Sequence, residues 1–340
     1  MQTPKTPNKI ASLLPPRCRP RNIVQAILST KKPLLPHPHH LPSKTSLNSS
    51  STQSSLSLSS SRDTSLKHRS QSETKRNIRN LAAIPYISAS SWCILEGNSG
   101  NLIYGHFEGQ IREIASLTKI MTCYVAIKLI KESQTLNLNT IVKVSTNAQS
   151  AIGTSAELKA GDELTMKDLL HGLMLPSGND AAWAIAEFLG HYLSPASIKP
   201  TTHFVAEMNR TARELGLDNT LYGNPSGLVY KKNTSTAKEV GYLASVALKE
   251  EIFRQIVSCK TYITNIRQGN GEIRKVMWEN TNKLLGKGFE GVKTGVTNKA
   301  GPCLCASYRN RSHVIIVLLN SQSMESRWSE VKTLAEWGCE

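Results

Sequence analysis

What this chain can fold into is set first by an abrupt change of composition near residue 81. Between Leu41 and Ser72 fourteen residues are serine, and none is Phe, Trp or Tyr. A stretch of that kind buries too little apolar surface to offset the entropy lost on ordering it. Residues 1–81 are therefore expected to be a disordered, basic, Ser-rich tail. Residues 82–340 are long enough for one large domain or two intimate subdomains.

Charge respects the same boundary. The first 85 residues hold fourteen Lys and Arg against only Asp63 and Glu73, so twelve of the sixteen net positive charges lie there. The remainder is nearly balanced and lacks the concentrated positive field that phosphate contacts need, which argues against a globally basic nucleic-acid-binding domain, and no nucleic-acid partner is expected. A hydrophobic content of 39% excludes a wholly disordered chain. No apolar run is long enough to span a bilayer.

Within the tail, the cluster Ile23 to Leu28 is interrupted by Gln25 and too short for a secretory signal, and the Arg- and Ser-rich, acid-poor composition is that of an organelle transit peptide. Import through the tail is one expectation for location. A solvated linker on a cytoplasmic protein is the other. His37, His39 and His40 stand among prolines, as a flexible patch rather than a metal site.

Seven scattered cysteines (Cys18, Cys93, Cys123, Cys259, Cys303, Cys305 and Cys339) do not form a disulfide framework. Cys303 and Cys305 alternate on one strand face, and no second Cys or His pair stands at zinc-ligand spacing, so buried thiols are expected.

Apolar runs at 91–95 and 102–104 around Glu96-Gly97-Asn98-Ser99-Gly100-Asn101 predict a β-hairpin. A mostly buried helix should open near Ser116. Thr165 with Asp168 resembles a capping pair for a helix through Leu175, and Ala181–Leu189 continues as an Ala-rich helix. Further helices are predicted over 204–215, stopping at Gly216, and from Thr236 with Glu239 through Leu248. Strands follow at 291–296, 304–308 and 314–319, and a closing helix covers 325–337. Strand pairs at both ends with helices between them imply an α+β fold: an antiparallel sheet flanked by helices, with an inserted all-helical subdomain over roughly residues 150–235.

No histidine of the folded part has an obvious serine and acid context. Ser116-Leu117-Thr118-Lys119 offers different chemistry: at a helix start, positions i and i+3 share a face, so the lysine amine can sit against the hydroxyl. A helix N-terminus and buried surroundings would lower the lysine pKa and let it act as a base. Ser-x-x-Lys occurs five times in this sequence, but Ser116 alone precedes a strongly apolar helix. Ser177-Gly178-Asn179 falls in a break between helices, where side chains are presented rather than buried. Lys293-Thr294-Gly295 occurs once, on a strand, where a side chain at Gly295 would block a substrate lying along the strand edge.

This ordered set resembles the penicillin-binding serine D-alanyl-D-alanine carboxypeptidases of the β-lactamase and transpeptidase-like superfamily. The resemblance covers about residues 84–340 and extends to Leu175–Ala182, Asn224-Pro225-Ser226-Gly227-Leu228, and Asn280–Leu285. It implies Ser116 as the acylated nucleophile, Lys119 as its base, and Ser177 as the proton relay to the leaving D-alanine. It further implies that Asn179 holds the substrate's peptide side, that Lys293 supplies positive charge near Ser177, and that Thr294 with Arg327 binds the terminal carboxylate. The backbone N–H groups of Ser116 and Val296 would form the oxyanion hole, beside Gly295. For Arg327 the bland alternative is a solvated helix-start arginine, and for Ser177 and Asn179 ordinary helix capping.

Peptidoglycan stem peptides or muropeptides are the implied partners, β-lactams the implied inhibitors, and no metal or cofactor is called for. Val296 and Ser226 depart from the residues usual there, a polar residue and histidine respectively, which bears on substrate preference. The chain stops just after its last helix, so the β-rich second domain and amphipathic anchor of many bacterial members are expected to be missing. The rivals are a β-lactamase or esterase on the same scaffold and a non-catalytic muropeptide-binding module. The first is discounted because Ser177-Gly178-Asn179 lacks the Asp of Ser-Asp-Asn, and Glu214 precedes Leu217-Asp218 at a helix end.

Overall fold

The computed structural model describes residues 84–228 and 232–338. The tail with its targeting composition, the His37–His40 patch, Cys18 and Cys339 lie outside the described residues.

In chain order the strands are β1 (Ser91–Glu96), β2 (Leu102–His106), β3 (Arg112–Glu113), β4 (Ile141–Lys143), β5 (Glu163–Thr165), β6 (Thr234–Ser235), β7 (Thr261–Arg267), β8 (Ile273–Glu279), β9 (Phe289–Thr297), β10 (Gly301–Arg309) and β11 (His313–Leu319). The α-helices are α1 (Thr118–Glu132), α2 (Thr146–Gln149), α3 (Met166–Met174), α4 (Asn179–Leu193), α5 (Pro200–Glu214), α6 (Ala237–Ala247), α7 (Glu251–Ser258) and α8 (Ser326–Gly338).

The main sheet is antiparallel in the order β2-β1-β11-β10-β9, so the two ends of the described chain are indeed joined in one sheet. Its central strand, His313-Val314-Ile315-Ile316-Val317-Leu318-Leu319, is apolar without alternation because both faces are covered. Ile315, Val317 and Leu319 join Cys93, Leu95, Cys303 and Cys305 in the core that holds α1 and α6. Val314, Ile316 and Leu318 face the other way, with Trp92, Ile94, Val331 and Leu334 of α8. Cys93, Cys303 and Cys305 are thus core residues, their thiols free and pushed up in pKa by burial.

Thr165 caps α3 in a reciprocal box with Asp168, and Thr236 caps α6 by accepting from the Glu239 N–H. Helix α5 starts at Pro200, four residues before the sequence expectation, because proline suits the first helical turn, where its missing N–H costs nothing. The region between the sheet's two halves carries more than helices. A second antiparallel sheet, β4-β5-β7-β8, lines it, and α7 precedes β7.

Candidate active site

Strand β9 is an edge of the main sheet, and the turn of 3-10 helix over Ala115–Leu117 packs beside it at the mouth of α1. The approach is close at Gly295, where a Cβ would lie 3.1 Å from the Ser116 amide nitrogen and 3.3 Å from Ala115 Cβ. A side chain at Gly295 would therefore press on this chain's own backbone at Ser116. Gly295 also lines the cleft, the place where a side chain is expected to obstruct substrate.

A cleft of about 400 Å³ opens at this junction, lined by Ser116, Ser177, Asn179, Thr294, Val296 and Arg327 among others. The structure thus brings together Ser116, Lys119 behind it, both residues of the helix break and the end of β9. None of the described histidines lines the cleft: His171 stacks on Tyr262, His106 on Trp92, and His203 and His313 contact Ser197 and Ser307.

Lys119 is fully buried, and its Nζ lies 3.0 Å from Ser116 Oγ, 2.6 Å from Asn179 Oδ1 and 2.7 Å from the Ser226 carbonyl oxygen. A carbonyl can only accept. A neutral amine therefore spends its two N–H bonds on Asn179 and Ser226 and points its lone pair at Ser116, whose hydroxyl then donates to it. Burial first, and then the neighbouring Lys293 ammonium, pull the Lys119 pKa well below that of an ordinary lysine, while Asp180 pulls it partly back. Its orientation and its lowered pKa both suit this amine to accept a proton from the serine.

The Ser226 carbonyl is held by a built turn. Asn224 Oδ1 accepts from the Ser226 and Gly227 N–H groups, Thr122 Oγ1 donates to the Pro225 carbonyl, and Asn233 donates to Thr118 Oγ1 and the Asn224 carbonyl. Gly227 sits at φ +89°, against the Ala115 carbonyl. The Asn224–Leu228 stretch stands out in the sequence, but the contact with Lys119 is made by a main-chain oxygen and so is not tied to the identity of the side chain at 226.

Ser177 and Asn179 do not cap α4. Ser177 has φ +65° and a buried Oγ without a hydrogen-bond partner among the described residues, a placement that costs about 1–3 kcal/mol. Asn179 donates its side-chain amide to the Ile152 carbonyl and turns its oxygen to Lys119, and it also lines the cleft.

Lys293 is buried and donates to the Thr294 carbonyl. Desolvation, helped by the Arg327 charge, pushes its pKa down to about 7. The Thr294 hydroxyl is 2.8 Å from that of Thr281, a cleft residue that carries no distinguishing signal in the sequence beyond its place in Asn280-Thr281-Asn282. Arg327 is only 5% exposed, so it is not a solvated helix-start residue. Its Nη1 donates to the Gly295 and Cys303 carbonyls, its Nε has no partner among the described residues, and its guanidinium lies 4.6 Å from the Trp328 ring centre. Leu228, Val296 and Met324 give the same cleft an apolar share of its wall. Glu214, in contrast, pairs with Lys128 and Arg210 and is no part of the cleft.

Comparison with known proteins gives a consistent set of matches. Residues 78–323 match the profile of a peptidase S11 family described as D-alanyl-D-alanine carboxypeptidase. A D-alanyl-D-alanine carboxypeptidase of Streptomyces sp. strain K15 is 34% identical over 75% of this chain and 88% of its own length. The carboxypeptidase DacF of Bacillus subtilis is 31% identical over 73% of this chain, and the match spans 61% of that longer relative. The crystal structure of the Streptomyces K15 DD-transpeptidase superposes with a TM-score of 0.70 at 32% identity, covering 76% of this chain and 99% of that one. That of DacD from Francisella tularensis gives 0.67 at 26% identity, covering 76% of this chain and 72% of that one.

Proposed function

The chain belongs to the D-alanyl-D-alanine carboxypeptidase family, peptidase S11, and from that premise we propose how its cleft removes the terminal D-alanine of peptidoglycan stem peptides. It is a serine D-Ala-D-Ala carboxypeptidase. The observation that carries the assignment of its nucleophile is the 3.0 Å approach of the buried Lys119 amine to Ser116 Oγ, with both amine hydrogens committed elsewhere.

In the reading proposed, Ser116 Oγ gives its proton to Lys119 and attacks the carbonyl carbon of the penultimate residue. Negative charge gathers on the carbonyl oxygen, within reach of the backbone N–H groups of Ser116 and Val296. The C–N bond then breaks, the leaving D-alanine nitrogen takes a proton through Ser177, and an ester remains on Ser116. Water hydrolyses that ester and restores the enzyme. Thr294 and Arg327 hold the terminal carboxylate, and Lys293 keeps positive charge beside Ser177. A β-lactam presents a carboxylate and a strained ring amide in place of the peptide bond, so Ser116 attacks its carbonyl, the ring C–N bond breaks, and the amine, still tethered, remains with the acyl group on the serine.

Among the described residues no helix is long and apolar enough to cross a membrane. We assign residues 82–340 as the catalytic domain and residues 1–81 as a segment outside it. Its composition supports import into an organelle; without import the enzyme is cytoplasmic.

Labelling with a fluorescent penicillin, followed by release of D-alanine from a peptide ending in D-Ala-D-Ala, tests the function. Label and D-alanine release are both expected. Penicillin destroyed within seconds while D-Ala-D-Ala is ignored would replace the reading by a β-lactamase, and neither label nor release would leave a binding module.

A further inference from the structure

Asp180 follows the helix break directly, yet it does not line the cleft. It is 1% exposed and accepts five hydrogen bonds from four donor groups in two segments. Its Oδ2 takes the Ser155 hydroxyl at 2.6 Å and the Leu158 N–H at 3.0 Å; its Oδ1 takes the Ala181 N–H at 2.8 Å; and the Ala156 N–H reaches both oxygens, at 2.9 and 3.0 Å. Each accepted bond to an ionised carboxylate is a strong one, and together they leave the 155–158 backbone little freedom.

That loop is tied to the chemistry on its other side. The Asn179 N–H donates to the Thr154 carbonyl at 2.8 Å, Thr154 Oγ1 donates to the Ser177 carbonyl at 2.6 Å, and the Asn179 side-chain amide donates to the Ile152 carbonyl at 2.6 Å. The last bond decides which way the amide faces. With its nitrogen drawn to an obligate acceptor, its oxygen must point to Lys119. Gly153, at φ +96°, allows the approach: a Cβ there would stand 2.7 Å from Asn179 Nδ2. Gly178 is confined in the same way, with Asp180 Oδ1 2.7 Å and Ala156 Cβ 2.8 Å from where its own Cβ would be.

We propose that Asp180 is a positioning residue for acylation: by clamping the 152–158 loop it fixes the Asn179 amide, which in turn aims the Lys119 lone pair at Ser116. The proposal rests on the acyl-enzyme reading given above. It predicts a loss in the chemical step with little change in substrate capture, because Asp180 touches neither substrate nor cleft.

The test is a double-mutant cycle on penicillin acylation, read as the limiting acylation rate and the non-covalent dissociation constant, each on the alkaline plateau so that lost charge near Lys119 does not enter. Asp180→Asn keeps the shape but sets an amide NH₂ against backbone donors. It should lower the limiting rate on the order of tenfold to a hundredfold, as small misplacements of catalytic groups do, with the dissociation constant within about threefold. In an Asn179→Ala background the same substitution should change the rate by no more than about twofold, since the clamp acts through Asn179. Should Asp180→Asn fail to fold, Ser155→Ala removes one donor, keeps the carboxylate, and should show the same non-additivity on a smaller scale. Equal loss in both backgrounds, or an unchanged rate in the parent, overturns the clamp while leaving the acyl-enzyme reading intact. A parent protein that takes no penicillin at all overturns both.

Discussion

Lys119 and Ser116 stand one helical turn apart, with Nζ 3.0 Å from Oγ at the point where a 3-10 turn becomes α1. The junction is strained, since Ala115 just before it has φ +47°, in the left-handed region that residues with a Cβ avoid. Acylation is thus expected to depend on both residues. Ser116→Ala should fold normally and take up no penicillin label, and Lys119→Ala should acylate at least about a hundredfold more slowly. Equal labelling of Ser116→Ala and the parent would remove Ser116 from the scheme.

Lys293 makes stability depend on pH in a stated direction. Its folded pKa is about 7 against an ordinary value of 10.5, so between those values the unfolded chain binds a proton that the folded chain does not. Stability therefore rises with pH through that window. Above 9.0 the buried thiols act oppositely, because their pKa values are raised on folding and the unfolded chain loses protons first. The unfolding midpoint should climb from pH 7 to 9, and Lys293→Met should reduce the slope without abolishing it, Lys119 having the same sign. An unchanged slope would place the Lys293 pKa near its ordinary value.

Much of this arrangement is legible in residue spacing alone. The i, i+3 spacing of Ser116 and Lys119, the Thr165–Asp168 cap and the alternating or continuous apolar runs of β1, β10 and β11 each reflect a local rule that tertiary packing does not override. Strands β7 and β8 are hidden because their outward residues include Ile263, Ile273 and Met277, which blur the apolar and polar alternation on a half-exposed sheet. Strands β4 and β5, three residues each, are too short to carry a period. At the site, Ser226 acts through its carbonyl and Asp180 through a loop, and neither role leaves a mark in residue spacing. The motif marks Asn179 as a cleft residue, but its partners, Lys119 and Ile152, depend on a loop brought in by folding.

Gly227 should be intolerant of even the smallest side chain. Its φ of +89° costs an alanine about 1–3 kcal/mol, and the new Cβ would fall 2.0 Å from the Ala115 carbonyl oxygen. The Ser226 carbonyl would move with the turn. Gly227→Ala is expected to lower both the thermal midpoint and the acylation rate; retention of both would show that the turn relaxes without disturbing Lys119.

Deletion of residues 1–81 should leave the thermal midpoint and acylation rate of the remainder nearly unchanged. The family match begins at residue 78, and both core clusters are assembled from residues after 88. A large loss of either property would mean that the tail contributes packing to the domain.

Arg327 separates a carboxypeptidase from an esterase on the same frame. A carboxypeptidase must recognise a free terminal carboxylate, and a guanidinium can hold one through two parallel charge-assisted bonds of roughly 1.5–3 kcal/mol each. In the proposed function this task falls to Arg327, which lines the cleft with Thr294, is almost fully buried, and has its Nη1 braced by the Gly295 and Cys303 carbonyls. Lysine would restore charge but not the fork. Arg327→Ala should therefore depress kcat/KM for a peptide ending in D-Ala-D-Ala far more than for an uncharged thioester with the same acyl group, and Arg327→Lys should recover only part of the difference. Taking the ratio of the two losses cancels any general damage to Ser116 or the oxyanion donors. If both substrates suffer alike, the guanidinium serves to brace β9 through its carbonyl contacts, and the carboxylate is held by Thr294 without it.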